Sequence, residues 1–218
     1  MRKKRDFNKY DINAGIARNE EWPCSVRDCE SNRIKLSALC RKHLQRRHRW
    51  GHHTGKFFKP TELEPWIQSA RNFIEEQQSH KGIQLALRWF QSRIDQAVVP
   101  DDARSSPYAE LQLKLVLMRS ADIEPEECLA RCIAVWQYSR HLQNVEPEVQ
   151  RRNLASHVFY SMSPGSRASR SSTRRLFGGQ IMDALLPLFV RVDEYYRVRR
   201  RAAFEMYEGA QGQFQGEV

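Results

Sequence analysis

Residues 24–50, CSVRDCESNRIKLSALCRKHLQRRHRW, contain three of the five cysteines in this 218-residue chain. The spacing is Cys24-x4-Cys29-x10-Cys40-x2-His43, which gives four soft or borderline metal ligands in two close pairs. Such a set suits a tetrahedral zinc ion in a closed structural site that has no open position for a substrate. The sequence therefore predicts that this segment folds around one zinc ion.

The second ligand pair is predicted to lie on a helix. Cys40 and His43 are three residues apart, so their side chains share one face of a helix over residues 37–50, with Ser37 as its N-cap. A segment this short has little core of its own, so metal binding would supply much of its folding free energy. His48 could replace His43 as the fourth ligand, and the alternative to a site is a chance grouping of thiols.

Positive charge is concentrated in two blocks of the chain. The formal net charge is +10 overall, with +10 in residues 1–59, −5 in residues 60–150, +8 in residues 151–201 and −3 in residues 202–218. Clustered positive charge favours a polyanionic partner such as nucleic acid. The alternative is that these segments are simply solvated.

Candidate phosphate contacts come from both basic blocks. On the predicted helix 37–50, three cations recur at helical spacing on a face away from the metal ligands. Residues 161–175, SMSPGSRASRSSTRR, are predicted to be a mobile loop whose arginines and hydroxyls suit phosphate oxygens. The candidate nucleic-acid contacts are Lys42, Arg46, Arg47, Arg49, Lys56, Arg167, Arg170, Arg174, Arg175, Arg199, Arg200 and Arg201.

Residues 24–51 resemble a short zinc module of bacteriophage and mobile-element proteins, which often lies beside HNH-type homing endonucleases or DNA-binding domains. This sequence differs from the module at WGHHTGK, residues 50–56, where the module often has a Gly-Asp turn. It implies nucleic-acid binding and favours double-stranded DNA over RNA. The matching residues are Cys24, Cys29, Leu39, Cys40, His43, Arg46, Arg49 and Gly51.

From residue 60 onward, apolar residues recur at helical spacing and no segment alternates convincingly as a strand. The predicted fold class is mainly α, with a small N-terminal zinc-finger module followed by a helical bundle. The predicted divisions are a basic arm (1–22), a zinc module (23–59), a helical domain (60–207) with a basic loop (161–175), and a disordered tail (208–218). The first predicted helix covers residues 61–80, with Thr61 as its N-cap. The others cover residues 83–98, 108–121, 124–143, 146–160 and about 178–207, the last kinked or split at Pro187.

Other potentially reactive side chains are interpreted as structural. Cys128 and Cys132 are four residues apart in an apolar helical stretch, and we expect them to be buried. His141 and His157 are expected on a helix surface or hydrogen-bonded in the core. His52 and His53 follow the zinc motif without a second metal-binding motif at a useful spacing.

Motifs of several enzyme classes are missing from the sequence, which carries no P-loop, Rossmann fingerprint or Gly-x-Ser-x-Gly elbow. The longest apolar stretch, IMDALLPLFVRV, is too short to cross a bilayer. Clustered cysteines without a secretory signal favour a reduced, cytoplasmic protein. We therefore expect no catalysis and no membrane partner.

The functional expectation is a zinc-dependent DNA-binding protein of a phage or mobile element, in an accessory or regulatory role beside a recombinase, transposase or transcription complex. The helical domain would then provide a surface for a protein partner or a homodimer. Two alternatives stay open. One is an atypical HNH-like nuclease, and the other is an assembly subunit whose zinc module contacts protein.

Overall fold

The computed structural model describes residues 9–214, with side chains for residues 12–199. Within this range the chain forms eight α-helices and no β-strand, with one isolated antiparallel bridge between Pro23 and Asn32. The prediction of a mainly helical chain that begins with a small metal-ligand module is confirmed. None of the described helices combines the length and apolar composition that a membrane span requires.

The chain divides into two compact units. The N-terminal unit comprises the described residues up to Phe57 together with residues 146–149, and the helical unit comprises residues 58–145 and those from Gln150 onward. The helices are α1 (Lys9–Glu20), α2 (Arg41–Trp50), α3 (Pro60–Glu76), α4 (Lys81–Asp95), α5 (Pro107–Ser120), α6 (Pro125–Leu142), α7 (Pro147–Phe159) and α8 (Ser171–Phe214).

Two predicted N-caps differ from those in the structure. Helix α2 begins at Arg41 with Cys40 as its N-cap, because the Ser37 hydroxyl accepts a hydrogen bond from the Leu39 amide and closes a turn ahead of the helix. Helix α3 is capped by Lys59 rather than Thr61, since Pro60 occupies its first turn. Both corrections move a predicted cap by two or three positions without changing the helix itself.

Helix α6 is the centre of the helical unit. It contacts α3, α4 and α8, and from Cys128 to Ser139 nearly every residue is buried. A helix that is apolar on all sides belongs inside a protein, which explains its lack of an amphipathic pattern. Cys128 and Cys132 are completely buried in this core, which confirms the prediction that they are buried.

Helices α7 and α8 approach each other closely at Gly178. A Cβ atom placed on Gly178 would lie 1.9 Å from the Arg151 carbonyl oxygen, so only glycine fits. Helix α8 begins at Ser171, so the predicted loop 161–175 is too long at its C-terminal end. The reason is that Thr173 is buried and donates to the Glu110 carboxylate, which fixes the first turn of the helix.

The last helix is continuous through Pro187, which neither splits nor ends it. Helix α8 extends past its predicted end near residue 207 and ends at Phe214. The final segment of the predicted tail, residues 215–218, lies outside the described residues.

Candidate metal centre

Four predicted ligands meet in the N-terminal unit. The ligand atoms of Cys24, Cys29, Cys40 and His43 all lie within 4.8 Å of one another, and they form the only such group found among the described residues. His43 Nδ1 is 3.4 Å from Cys24 Sγ and 3.3 Å from Cys40 Sγ, and the Cys29 and Cys40 sulfurs are 3.9 Å apart. A tetrahedral zinc ion with Zn–S bonds of about 2.3 Å separates its ligands by roughly 3.5–3.8 Å.

The geometry selects His43 as the fourth ligand. His48 is exposed on α2, and neither His52 nor His53 belongs to the cluster. Coordination through Nδ1 requires the neutral imidazole to carry its proton on Nε2. The structure therefore brings His43, and not His48, to the three thiols.

The first ligand pair lies on a tight turn over residues 24–29. The Cys29 amide donates to the Val26 carbonyl at 3.2 Å, and Asp28 adopts the left-handed conformation with φ of 59°. Aspartate tolerates this conformation better than most residues, which explains its position here. The turn brings both sulfurs to the same side of the chain.

Backbone amides prepare the Cys24 sulfur for a metal. Burial by itself raises the pKa of this thiol, but amide hydrogen bonds from Val26 and Cys40, together with the His43 and Cys40 side chains, lower the pKa to about 6. The Cys40 amide nitrogen is 3.3 Å from Cys24 Sγ. Cys24 is therefore largely a thiolate at neutral pH, which is the form that binds metal.

The Cys29 thiol shows the opposite tendency. The Ser31 amide favours its thiolate, but burial and the neighbouring Cys40 and Cys24 sulfurs raise its pKa overall. Negative charge on several adjacent sulfurs is unfavourable unless a cation neutralises it. A divalent metal ion could supply this neutralising charge.

The second ligand pair lies at the start of α2. Cys40 occupies the N-cap with an extended backbone, and His43 follows in the first helical turn. A thiolate at this end of a helix faces the partial positive charge of the helix dipole. The buried core around these ligands is very small, and its fully buried residues are Cys24, Leu39 and Cys40.

Helix α1 anchors the segment between the two ligand pairs. The Asn19 side-chain amide donates to the carbonyl oxygens of Lys35 and Ser37, both at 2.8 Å. The Glu20 carboxylate accepts from the Lys35 amide at 2.9 Å. Sequence reasoning missed α1, because its residues lack a strong amphipathic pattern and its contribution is made through side-chain-to-backbone hydrogen bonds.

Helix α2 presents a strongly basic surface. Its ten residues, RKHLQRRHRW, include five lysines or arginines and no carboxylate. Lys42, Arg47 and Arg49 are exposed, as is Lys56 beyond the helix, whereas Arg46 is half-buried. The metal ligands and the buried Trp50 hold the other side of α2 against the unit, so the cations face outward.

Arg170, a predicted phosphate contact, already has protein partners. Its Nε atom is 2.6 Å from the Glu110 carboxylate, and its other nitrogens donate to the carbonyl oxygens of Ala103, Arg104 and Ser106. The Arg170 guanidinium therefore joins the segment before α8 to the segment before α5. Its charge stabilises the helical unit.

Arg167 and Arg199 are engaged in a similar way. The Arg167 guanidinium lies 3.8 Å from the centre of the Tyr160 ring and donates to the Met162 carbonyl. Arg199 pairs with Glu76 at 2.8 Å. Arg174 is half-buried and Arg175 exposed in the first turns of α8, and the side chains of Arg200 and Arg201 lie outside the described residues.

Comparison of the chain with known proteins gave no match to a protein family, a curated protein or a solved structure.

Proposed function

We propose that this chain is a zinc-dependent, non-catalytic nucleic-acid-binding protein that contacts duplex DNA through α2. One observation carries the proposal: a Cys3His cluster fixes the start of a helix that bears five cations and no carboxylate. Three sulfur ligands and one imidazole suit zinc better than calcium or magnesium, which prefer oxygen ligands.

A bound metal would make this short helix rigid. Isolated helices of ten residues are marginal in water, and the N-terminal unit has only a small apolar core. Zinc joins Cys40 and His43 in the first turn to the turn at residues 24–29, so α2 cannot fray from this end. A rigid helix presents its cations in a fixed pattern, which reduces the entropy lost on binding.

The dimensions of α2 fit a DNA groove. A helix of ten residues is about 15 Å long, and the major groove of B-DNA is wide enough to admit an α-helix. The exposed Lys42, Arg47 and Arg49 would contact phosphates or base edges. The resemblance of residues 24–51 to phage and mobile-element zinc modules supports duplex DNA over RNA, and an accessory or regulatory role beside a recombinase, transposase or transcription complex.

Salt-dependent binding of a labelled DNA duplex tests the proposal. Each phosphate contact contributes a slope of about −0.9 in log K against log salt concentration. The double variant Lys42→Ala/Arg47→Ala should reduce the magnitude of the slope by up to about 2 and weaken binding. Lys81→Ala/Arg88→Ala is the matched control, since it removes two exposed cations from α4 of the helical unit.

An equal loss of DNA affinity in both double variants would show that net charge, and not α2, drives binding. That result would overturn the proposal. Unchanged binding in Lys42→Ala/Arg47→Ala, with cellular function retained, would indicate that the module contacts protein. Plasmid cleavage with added magnesium or manganese that is lost in His52→Ala or His53→Ala would instead establish a nuclease.

A further inference from the structure

A second site of unusual charge lies in the helical unit, in a cavity of about 630 Å³ beside α5. Its walls include Lys114 and Glu110 of α5, Arg104 from the preceding segment, and Arg170 from the segment before α8. Small-molecule sites in proteins commonly have volumes of this size. The cavity thus has room for a ligand larger than water.

The Arg170 guanidinium builds one wall of this cavity. Its hydrogen bonds to the carbonyl oxygens of Ala103, Arg104 and Ser106 hold residues 103–106 in place. Because these carbonyls and Glu110 occupy the Arg170 donors, this arginine is a structural member of the site. The wall is therefore formed before any ligand arrives.

Lys114 is the least expected residue of the cavity. Its side chain is only 7% exposed, and its ammonium group donates to the Ser166 carbonyl oxygen. An ammonium group has three donors, and no further hydrogen bond to it is found among the described residues. A buried charge is costly unless another charge pairs with it, and a neutral carbonyl does not balance it.

The carboxylate of Glu110 does not supply the missing charge. It accepts hydrogen bonds from Arg170 Nε at 2.6 Å, from the Arg170 amide at 2.9 Å and from the Thr173 hydroxyl at 2.6 Å. Burial lowers the pKa of Lys114, and the charge of Glu110 offsets this effect only in part. Glu110 and Arg170 neutralise each other, so Lys114 is left with a net positive charge.

Arg104 adds a second positive charge at the cavity. Its side chain is exposed, and no hydrogen bond or ion pair of its guanidinium is found among the described residues. The nearby Asp102 carboxylate accepts a hydrogen bond from the Arg104 backbone amide, and Asp102 does not line the cavity. With the Glu110–Arg170 pair neutral, the lining carries a net charge of about +2, which a doubly charged anion would balance.

We infer that this cavity binds a phosphate group, with the Lys114 ammonium and the Arg104 guanidinium as its two cationic partners. A phosphate monoester carries a charge of about −1.5 to −2 at neutral pH, and it offers several acceptor oxygens to these donors. The group could belong to a free phosphate compound or to the end of a nucleic acid strand. This site lies in the helical unit and does not depend on the function proposed for the N-terminal unit.

Calorimetric titration with inorganic phosphate at constant ionic strength tests the inference, using the metal-loaded full chain. Lys114→Met removes the charge and keeps the side-chain volume, and replacing a buried charge by a hydrophobic residue is often neutral or stabilising. We expect at least a tenfold weaker phosphate affinity in Lys114→Met and a smaller loss in Arg104→Ala. Arg88→Ala, which removes an exposed cation of α4 away from the cavity, should bind phosphate as the wild type does.

Two comparisons identify the source of the phosphate group. A mononucleotide that binds more tightly than inorganic phosphate would indicate a free compound, whereas a preference for a 5′-phosphorylated over a 5′-hydroxyl oligonucleotide would indicate a strand end. Either preference should disappear in the variant Lys114→Met. Equal phosphate affinity in wild type and Lys114→Met, or wild-type binding no tighter than to chloride, would overturn the inference.

Discussion

The two units of this chain are stabilised by different means. The helical unit has a large apolar core, centred on a helix that is buried on nearly all sides. The N-terminal unit has three fully buried residues in its cluster, two of which are cysteines whose sulfurs face the candidate metal centre. Burial of apolar surface can stabilise the first unit, whereas in the second the proposed metal ligation would compensate for the lost chain entropy.

The units also use their positive charge differently. In α2 of the N-terminal unit, the cations lie on the surface and no carboxylate on the helix balances them. In the helical unit, Arg170 and Arg199 pair with carboxylates, and Arg140 pairs with Asp193 while it covers the Trp136 ring. A basic segment in a sequence is therefore not by itself evidence for a nucleic-acid surface, because its cations can be paired within the fold.

The largest effect is expected on removal of the metal. Chelation, or the double variant Cys24→Ser/Cys40→Ser, should unfold the N-terminal unit, because structural zinc contributes about 10–16 kcal/mol of apparent binding free energy. The helical unit should keep its circular dichroism signal. Metal analysis of the wild type should find one zinc ion per chain, and full zinc content in the double variant would refute the ligand assignment.

A pair of adjacent glycines tests packing in the helical unit. Gly178→Ala should lower the free energy of unfolding by about 3 kcal/mol or more, because its new methyl group would collide with the Arg151 backbone. Gly179→Ala is the matched control: a Cβ atom there meets nothing within 4 Å, so alanine should be neutral or stabilise the helix by up to about 1 kcal/mol. Urea unfolding of metal-loaded protein measures both, and equal stabilities would contradict the close approach of α7 and α8.

The sequence predicted the ligand set well because ligand chemistry depends on spacing. Two cysteines with four residues between them can share a turn, and the choice of His43 over His48 needed only the reach of one helical turn. The helices were also predictable, since apolar residues recur at regular intervals in most of them. Helix α6 was predicted in the same way, from apolar residues at helical spacing, although most of its residues prove to be buried.

Other features depended on contacts between residues far apart in the chain. Nothing local reveals that Arg170 pairs with Glu110, 60 residues away, or that Thr173 shares the same carboxylate. The predicted mobile loop was therefore too long. The anchoring role of Asn19 was hidden for the same reason, because its partners are carbonyl oxygens, which every residue possesses.

A buried histidine gives the stability of the helical unit a pH dependence of its own. Burial lowers the pKa of His157 to about 3, although the hydrogen bond from Nε2 to the Phe58 carbonyl raises it in part. Below an unfolded pKa of about 6.5, the unfolded chain binds a proton that the folded chain does not, so stability falls as pH decreases from about 6.5 towards 3.

Protonation of this histidine in the unfolded chain should lower the free energy of unfolding by about 2 kcal/mol between pH 7 and 5, with a slope that approaches roughly 1.4 kcal/mol per pH unit. The variant His157→Gln should reduce the slope of the unfolding free energy against pH by the contribution of one proton. His141→Gln, at an exposed position of α6, should leave the slope unchanged. Urea unfolding of the helical unit at several pH values, on metal-free protein, separates this effect from metal release. The same slope in His157→Gln and wild type would show that His157 does not contribute.

The smallest effect should come from the polar anchor of the N-terminal unit. Asn19→Ala removes the two hydrogen bonds to the Lys35 and Ser37 carbonyls, each contributing about 0.5 kcal/mol, the low end of the usual range, because neither is fully buried. On the proposal that this unit folds around zinc, the variant should bind zinc up to about tenfold more weakly, which is equivalent to about 1.4 kcal/mol. The urea midpoint of the helical unit should not change. Asn13→Ala, an exposed position on the same helix, should leave zinc affinity unchanged. Competition with a chelator of known affinity measures both variants, and a lowered stability of the helical unit in Asn19→Ala would show that the two units do not fold independently.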